Sequence, residues 1–142
     1  MKEIDFAPYV IAANIAKLGF DEPCITSYDD GGDLRNPFDY QNSEWTTHGA
    51  YLFHHTKHMV KNSELKSHFI AAPAWSQVFR FFREQHNMDV VIGSNYDNGK
   101  KYFYRIETPP TNGLQSFEDG FNTYVEAEIA CATKLIELTK TK

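Results

Sequence analysis

The sequence predicts one α+β domain, in which three helices pack on one face of a small antiparallel sheet made from two β-hairpins. Three observations predict this class. Three segments carry apolar residues at helical spacing, and two turn sequences rich in Asp, Asn and Gly lie between residues typical of strands. A chain of 142 residues, 42% of them hydrophobic, also has the size and composition of one domain with one core.

The first helix is predicted over residues 8–18. Pro8 suits the first helical position, because the N–H that proline lacks is not needed there. Gly19 fits the left-handed position that ends a helix, and Phe20 is expected to fold back onto Ile15. The apolar residues that share the predicted buried face are Ala7, Ile11, Ile15 and Leu18.

The first hairpin is predicted from a strand over residues 24–28 and a turn over residues 29–32. Two aspartates followed by two glycines tolerate the positive φ values that such turns need. The return strand is expected to be short, because Pro37 interrupts it.

An irregular insert is predicted over about residues 33–70, because its first half is polar and contains turn-forming residues. Within it, residues 51–61 are expected to form a short helix, although Tyr51-Leu52-Phe53 fits a strand equally well. Residues 69–71 are predicted to be extended, because the proline that follows Ala72 disfavours helix there.

The second helix is predicted over residues 73–86. Apolar residues follow the i, i+3, i+4, i+7 spacing of one buried face, at Trp75, Val78, Phe79 and Phe82. Polar residues occupy the opposite face, at Gln77, Arg80 and Glu84. Since three of the four apolar side chains are large aromatics, this face is expected to form a major part of the core.

The second hairpin is predicted from strands over residues 89–95 and 101–106, joined by the Asn98-Gly99 dipeptide that type I′ turns favour. A two-residue turn there pairs Val91 with Ile106, Gly93 with Tyr104 and Asn95 with Tyr102 on one face. We place Val91, Tyr104 and Ile106 against the helices. Residues 108–113 contain two prolines and are predicted to be loop.

The last helix is predicted to begin at a capping box formed by Thr123 and Glu126 and to continue to about Leu138. Glu128 falls inside the apolar arc of this helix. We expect its carboxylate to lie at the edge of the contact and to lean into water. The alternative is a partly buried carboxylate paired with an arginine.

Charge is uneven along the chain, although the formal net charge is −5. Residues 1–44 sum to −6, residues 57–105 to +4 and residues 106–142 to −3. The overall acidity argues against a strong, sequence-nonspecific DNA-binding protein.

The sequence has no apolar run of the roughly 20 residues that cross a bilayer, and its first residues are too acidic for a secretory signal. We therefore expect a cytoplasmic protein without membrane association.

A histidine-rich segment, His54-His55-Thr56-Lys57-His58, suggests metal chemistry. On a helix His54 and His58 would share one face, as the zinc ligands of metalloproteases do. The glutamate that serves as general base in that motif is replaced by His55, and no third ligand stands at a readable spacing. Nucleophile and phosphate-loop motifs are also absent from the sequence. We predict no catalytic, cofactor-binding or metal-binding residue, and a small metal-dependent enzyme is the second alternative.

A basic and aromatic surface is the strongest candidate for a binding site. Tyr96 or Phe103 would stack on bases while nearby cations contact phosphates, as in single-strand binders. The cations that would form this nucleic-acid-binding surface are Arg80, Arg83, Lys100, Lys101 and Arg105. The alternative is that these arginines and lysines are the solvated face of an ordinary amphipathic fold.

Several segments together resemble a group of small proteins that are encoded in phage and prophage genomes of gut bacteria. The segments are Gly19-Phe20-Asp21-Glu22-Pro23-Cys24, Asn42-Ser43-Glu44-Trp45, Ala72-Pro73-x-Trp75-x-Gln77-Val78, the Tyr-Asp-Asn-Gly hairpin and Thr123-Tyr124-x-Glu126-Ala127. The resemblance implies a phage or mobile-element origin and a bacterial cytoplasm. It implies no catalytic residue, cofactor or substrate, because the group has none assigned. The chain departs from the group at Glu128 and Cys131, where leucine and glycine are usual.

These observations together favour a nonenzymatic phage or mobile-element accessory protein that binds another macromolecule, most simply a protein. A homodimer is also expected to be feasible, because the chain is rich in aromatics and a hairpin edge is predicted to be exposed. A single-stranded nucleic-acid-binding accessory domain is the first alternative.

Overall fold

The computed structural model describes residues 6–35, 59–65, 68–96, 99–109 and 113–141. These residues form three helices and two antiparallel sheets of three strands each, which confirms the α+β class. They fall into two compact units, Met1–Ala74 and Trp75–Lys142. The prediction that the two hairpins form a single sheet is wrong, because each unit has a sheet of its own. That the chain is one domain stays a prediction.

The first unit begins with helix α1, Tyr9–Lys17. Pro8 is the N-cap in an extended conformation, one residue before the helical position predicted for it. The predicted helix end is confirmed: Gly19 has a φ of 101°, and the backbone N–H of Phe20 donates to the carbonyl of Ile15 at 3.0 Å. This pairing satisfies a carbonyl that the helix leaves without an internal partner.

The first sheet has the strand order β2-β1-β3, with β1 at Thr26–Tyr28, β2 at Leu34–Arg35 and β3 at Ile70–Ala72. The predicted first hairpin is confirmed as β1 and β2. The Asp29 carboxylate accepts hydrogen bonds from the backbone N–H groups of Gly31 and Asp33, and so holds the turn. The predicted extended segment before Pro73 is also confirmed, but as a third strand rather than a connection.

Part of the core of this unit is a cluster of buried residues from α1, the sheet and the segment before α1. Tyr28 is buried, and its hydroxyl donates to the carbonyl of Ala7 at 2.6 Å. The buried members are Phe6, Ala12, Tyr28 and Ala72, with Tyr9, Leu34 and Ile70 packed against them. The short β2 is therefore held by packing of Leu34 as well as by its strand pairing.

The described end of the insert is extended rather than helical. Val60 and Cys24 exchange both backbone hydrogen bonds at 2.7 Å, so the helix predicted over residues 51–61 does not include Val60. Residues 36–58, which contain the histidine segment, lie outside the described residues. A short 3-10 helix follows at Asn62–Glu64, and the Asn62 side chain bonds both Phe20 and Ala71. The Asn62 side chain thus links the insert to the segment after α1 and to β3.

The second unit begins with helix α2, Trp75–His86, two residues later than predicted. Trp75, Val78 and Phe82 are buried as predicted. Phe79 is half-buried and stacks on Trp75 with ring centroids 5.7 Å apart. The sequence interpretation missed Phe81, which is buried at the side of the same stripe.

The second sheet has the order β4-β5-β6, with β4 at Asp89–Asn95, β5 at Lys101–Thr108 and β6 at Gly113–Phe121. The predicted β4–β5 hairpin is confirmed, but its predicted register is wrong by one residue. Val91 pairs with Arg105 and Asn95 pairs with Lys101, which leaves an odd number of residues in the loop. A two-residue turn needs an even number of residues between paired strands, whereas five residues lie between the paired Asn95 and Lys101.

Strand β6 is absent from the sequence interpretation, which placed residues 108–113 in a loop and assigned no element before the last helix. Its burial pattern shows why. Ser116 and Phe121 are half-buried and the other residues of β6 are exposed, so no apolar alternation marks the strand. Two bulges, at Gln115 and Gly120, also break the period of two residues.

Helix α3, Tyr124–Lys140, completes the unit. Its predicted capping box is confirmed: the Thr123 hydroxyl accepts from the N–H of Glu126 at 3.1 Å, and the Glu126 carboxylate accepts from the N–H of Thr123 at 3.3 Å. α3 contacts all three strands of the sheet, and α2 contacts α3 and β4. The second unit is therefore a helix layer on one side of a three-stranded sheet.

Candidate functional site

The two faces of the second sheet differ in burial. Tyr104 and Ile106 are buried, and the ring of Tyr102 meets the ring of Tyr124 on α3 at 5.9 Å. These three alternate residues of β5 therefore point towards the helices. The side chains between them point the other way, to the side of the sheet that the helices do not cover.

We call this second side the open face. Because paired residues in an antiparallel sheet share a face, the register assigns its members on the neighbouring strands. The open face consists of Asp89, Val91, Gly93, Asn95, Lys101, Phe103, Arg105, Glu107, Leu114, Phe117 and Asp119.

Large apolar side chains on the open face are in contact with water. Val91 is 39% exposed, Phe117 51% and Leu114 57%. The rings of Phe103 and Phe117 lie 5.7 Å apart between centroids, at an angle of 34°. These apolar side chains share one face of neighbouring strands, with the two phenylalanine rings in contact, and contiguous exposed apolar patches mark interaction surfaces.

Gly93 allows the Phe103 ring to lie flat on the sheet. A methyl group on the Gly93 α-carbon would stand 2.8 Å from the ring carbon Cζ of Phe103, closer than van der Waals contact permits. The ring therefore occupies the space that a side chain at position 93 would fill. This packing holds Phe103 over Gly93, and Phe117 on β6 adds a second aromatic ring to the centre of the open face.

Charges of both signs border the aromatic centre. Arg105 forms an ion pair with Glu107, its Nε lying 3.0 Å from the carboxylate oxygen Oε1. Lys101, the first residue of β5, donates a hydrogen bond to the side-chain oxygen of Asn122. Because asparagine is neutral, this hydrogen bond does not neutralise the charge of the lysine. Asp89 and Asp119 add two further carboxylates to the face. The open face thus carries two cations and three anions.

The structure divides the five predicted cations among three places. Arg80 and Arg83 are exposed on α2, in the helix layer. Lys101 and Arg105 lie on the open face, with Phe103 between them. Lys100 lies in the β4–β5 loop, where its ammonium stands 5.5 Å from the Tyr102 ring centroid. Hydrogen bonding to Tyr102 raises the pKa of Lys100.

The two aromatics suggested for base stacking also differ. Tyr96 is 69% exposed at the end of β4, whereas Phe103 is half-buried on the open face. Phe117, the more exposed partner of Phe103, was not a candidate, because β6 was not predicted. No local sequence signal identifies it, since the bulges hide its alternation with its neighbours.

The cysteine thiols are poor candidates for nucleophilic chemistry. Burial raises the pKa of Cys24 to about 12, with smaller contributions from Glu22 and Asp21. Burial also raises the pKa of Cys131, and the nearby Glu128 adds to the effect. Both thiols therefore stay protonated at neutral pH, and the thiolate is the reactive form. Among the described residues, no three His, Cys, Asp or Glu side chains are grouped as a metal site would need.

Glu128 does not lie where the sequence interpretation placed it. It is 8% exposed on α3 rather than leaning into water, and burial raises the pKa of its carboxyl to about 7. Within the part of the chain that the structure describes, no arginine forms an ion pair with it. Its ionisable neighbours Tyr124 and Cys131 also have raised pKa values, because burial disfavours their anionic forms and the nearby Glu128 adds to the effect. Among the described residues the structure therefore matches neither the expected solvated carboxylate nor the alternative of a carboxylate paired with an arginine.

Comparisons with protein-family models, with curated proteins and with solved structures found no match for the chain. In the described ranges, no helix combines the length and apolar character that crossing a membrane requires.

Proposed function

We propose that this protein is a nonenzymatic accessory protein of a phage or other mobile element, which binds a protein through the open face of its second sheet in the cytoplasm of a bacterial host. The observation that carries the proposal is the exposed apolar patch of Val91, Leu114 and Phe117 beside Phe103. Burying such a patch against a partner gains free energy in proportion to the apolar area removed from water.

The composition of the open face supports a protein partner. Its centre is aromatic and aliphatic, with Arg105 and Asp119 beside the phenylalanines, and Asp89, Lys101 and Glu107 lie at or near the ends of the strands. Protein interfaces have this arrangement of an apolar centre and a polar rim, and aromatic residues and arginine are enriched in them. Phe117 and Phe103 are the anchors that we expect to contribute most.

The charge balance of the open face is unfavourable for a polyanion. Binding a single strand of nucleic acid requires cations free to meet successive phosphates, along a groove or surface with aromatic stacking positions. Here Asp89, Glu107 and Asp119 outnumber Lys101 and Arg105, and Arg105 is already paired with Glu107. Nucleic acid is therefore an outcome of the test rather than the proposal.

Photo-crosslinking tests the proposal directly. A benzophenone amino acid replaces Phe117 in the full chain, and a second protein carries it in place of Glu137, which is exposed on α3. We expect irradiation in bacterial cells to give discrete protein adducts from position 117 and none from position 137. Adducts that nuclease removes would contradict a protein partner and favour nucleic acid. No adduct from position 117 would contradict the proposal.

The metal-dependent enzyme is not proposed, since the geometry of the described residues gives no observation in its favour. Metal analysis of the untagged protein tests it separately. Stoichiometric zinc or iron in that protein would contradict the nonenzymatic part of the proposal.

A further inference from the structure

We infer that the protein bound by the open face is a second copy of this chain, packed face to face with its strands antiparallel to those of the first. This inference rests on the proposed function, because it names the occupant of the same surface. It is carried by the way in which opposite charges are distributed along β5.

The two ends of the open face carry opposite charges. Lys101 stands at the first residue of β5, and Glu107 stands near the last, next to Asp89 on β4. Six residues of strand separate Lys101 from Glu107, a distance of about 20 Å at the usual rise per residue. Phe103 and Arg105 lie between them on the same face. One end of the open face therefore carries a cation and the other end carries anions that could pair with it.

A symmetric pair of open faces has two simple arrangements. When the two-fold axis runs along the strands, each residue of β5 faces its own copy, so Lys101 meets Lys101 and Glu107 meets Glu107. When the axis runs across the strands, Glu107 of one chain faces Lys101 of the other, twice. Like charges placed opposite one another across an interface are strongly unfavourable. The charge pattern thus selects the second arrangement, with antiparallel strands.

The same arrangement suits the centre of the face. The axis then passes near the level of Tyr104 on β5, so Arg105 of one chain faces Phe103 of the other. An arginine over an aromatic ring is a favourable contact, and Arg105 keeps its ion pair with Glu107 meanwhile. On the neighbouring strands this arrangement places Val91 opposite Gly93 and Phe117 opposite Asp119 of the other chain.

The oligomeric state is the first measurement. By sedimentation equilibrium we expect a wild-type dimer, with twice the chain mass of 16.4 kDa, and a monomer for Phe117→Asp. Phe117 is exposed, so the substitution is not expected to impair folding, which circular dichroism verifies. Glu137→Lys on α3 is the control and is expected to remain dimeric, because α3 lies on the opposite side of the sheet.

Charge exchange tests the arrangement. Lys101→Glu and Glu107→Lys are each expected to weaken self-association by at least about tenfold, since each creates two like-charge contacts. The weakening of the two homodimers distinguishes the arrangements, because with parallel strands each substitution would only replace one like-charge contact by another. Mixing the two variants gives opposite-charge contacts in a heterodimer. With one variant labelled with nitrogen-15, native mass spectrometry is expected to show the mixed dimer in excess over either homodimer. Formation of this heterodimer also shows that both variants are folded.

Three results would overturn the inference. They are a wild-type monomer at concentrations up to about 100 µM, a dimer that Phe117→Asp leaves intact, and charge variants that fail to form a mixed dimer. The proposed function is judged separately by the adducts from position 117. Adducts to a different protein from a monomeric chain would support protein binding by the open face and reject a second copy.

Discussion

Glu128 is a buried residue whose charged form is disfavoured by its surroundings. The carboxyl lies in the apolar arc of α3, 8% exposed, and burial raises its pKa from 4.5 to about 7. A raised pKa in the folded state means that folding favours the protonated form. Below about pH 4.5 both states are protonated and ionisation costs nothing. As the pH rises towards 7 the unfolded chain ionises first, so the free energy of unfolding falls and levels off above pH 7.

Replacing Glu128 with glutamine is expected to remove this loss. The amide has nearly the same shape and no charge, so Glu128→Gln is predicted to match the wild type near pH 4. At about pH 8 it should be more stable by about 1 to 2 kcal/mol, a figure that allows for partial access of water to the carboxylate. Chemical denaturation at the two pH values measures the difference. A difference between Glu128→Gln and the wild type that is the same at the two pH values would contradict this prediction.

Gly93 and Phe103 form a second test at the residue scale. Since a methyl group on Gly93 would approach the Phe103 ring to 2.8 Å, Gly93→Ala is predicted to destabilise the protein by about 1 kcal/mol. With Phe103→Ala the space is open, and Gly93→Ala should then stabilise by about 0.5 kcal/mol, because alanine restricts the unfolded chain more than glycine does. A double-mutant cycle by denaturation measures both values. The same sign in both backgrounds would show that the ring does not lie on Gly93.

At the scale of elements, helix starts and stops follow from local sequence. Thr123→Ala removes the hydroxyl that accepts from the N–H of Glu126, and the predicted loss is about 1 kcal/mol. Thr133→Ala is the matched control, because its hydroxyl bonds a carbonyl inside the same helix at Ile129 and alanine is the better helix former. Thermal unfolding should therefore rank Thr133→Ala at or above the wild type and Thr123→Ala below it. Equal losses from both would refute the cap.

The success of the helix predictions and the failure over β6 have one cause. The stripe of α2 and the capping box of α3 are set by residues three or four apart, so the sequence contains the complete signal. Strand β6 depends on its partner β5, and its side chains are mostly exposed on both faces. The bulge at Gly120 then shifts its alternation. A strand of this kind is defined by hydrogen bonds to another segment, which no short window of sequence records.

The register error has a larger consequence than its size suggests. A shift of one residue turns every side chain to the opposite face, so Val91 was placed against the helices and is instead 39% exposed on the open face. The loop signal at Asn98-Gly99 fixed the position of the hairpin but not the number of residues in its turn. Tyr104 and Ile106 are buried as predicted, because they stand on either side of the charged Arg105 in β5 and so point away from the side on which Arg105 lies.

At the scale of the whole molecule, the candidate site could not be predicted because it needs three strands in register. Phe117 is 25 or more residues from Val90, Val91 and Ile92 of β4, and the sequence does not show that the two strands share a sheet with β5 between them. The charge blocks were visible in the sequence, but their assignment to faces was not. Arg83 and Arg105 both belong to the basic middle segment, and the fold separates them into the helix layer and the open face.

The division into two compact units gives the last prediction. Residues 75–142 contain two helices, a complete three-stranded sheet and buried side chains on each of α2, β5 and α3, such as Phe82, Ile106 and Leu135. We therefore predict that this segment folds when it is expressed alone, with a stability of about 3 to 5 kcal/mol, as expected of a core of this size. Cooperative urea unfolding, followed by circular dichroism, measures this. Leu135→Asp in the same segment is the control and should abolish the transition, because it buries an unpaired charge. A segment without a cooperative transition would show that its core needs residues 1–74, and would favour the single domain that the sequence predicts.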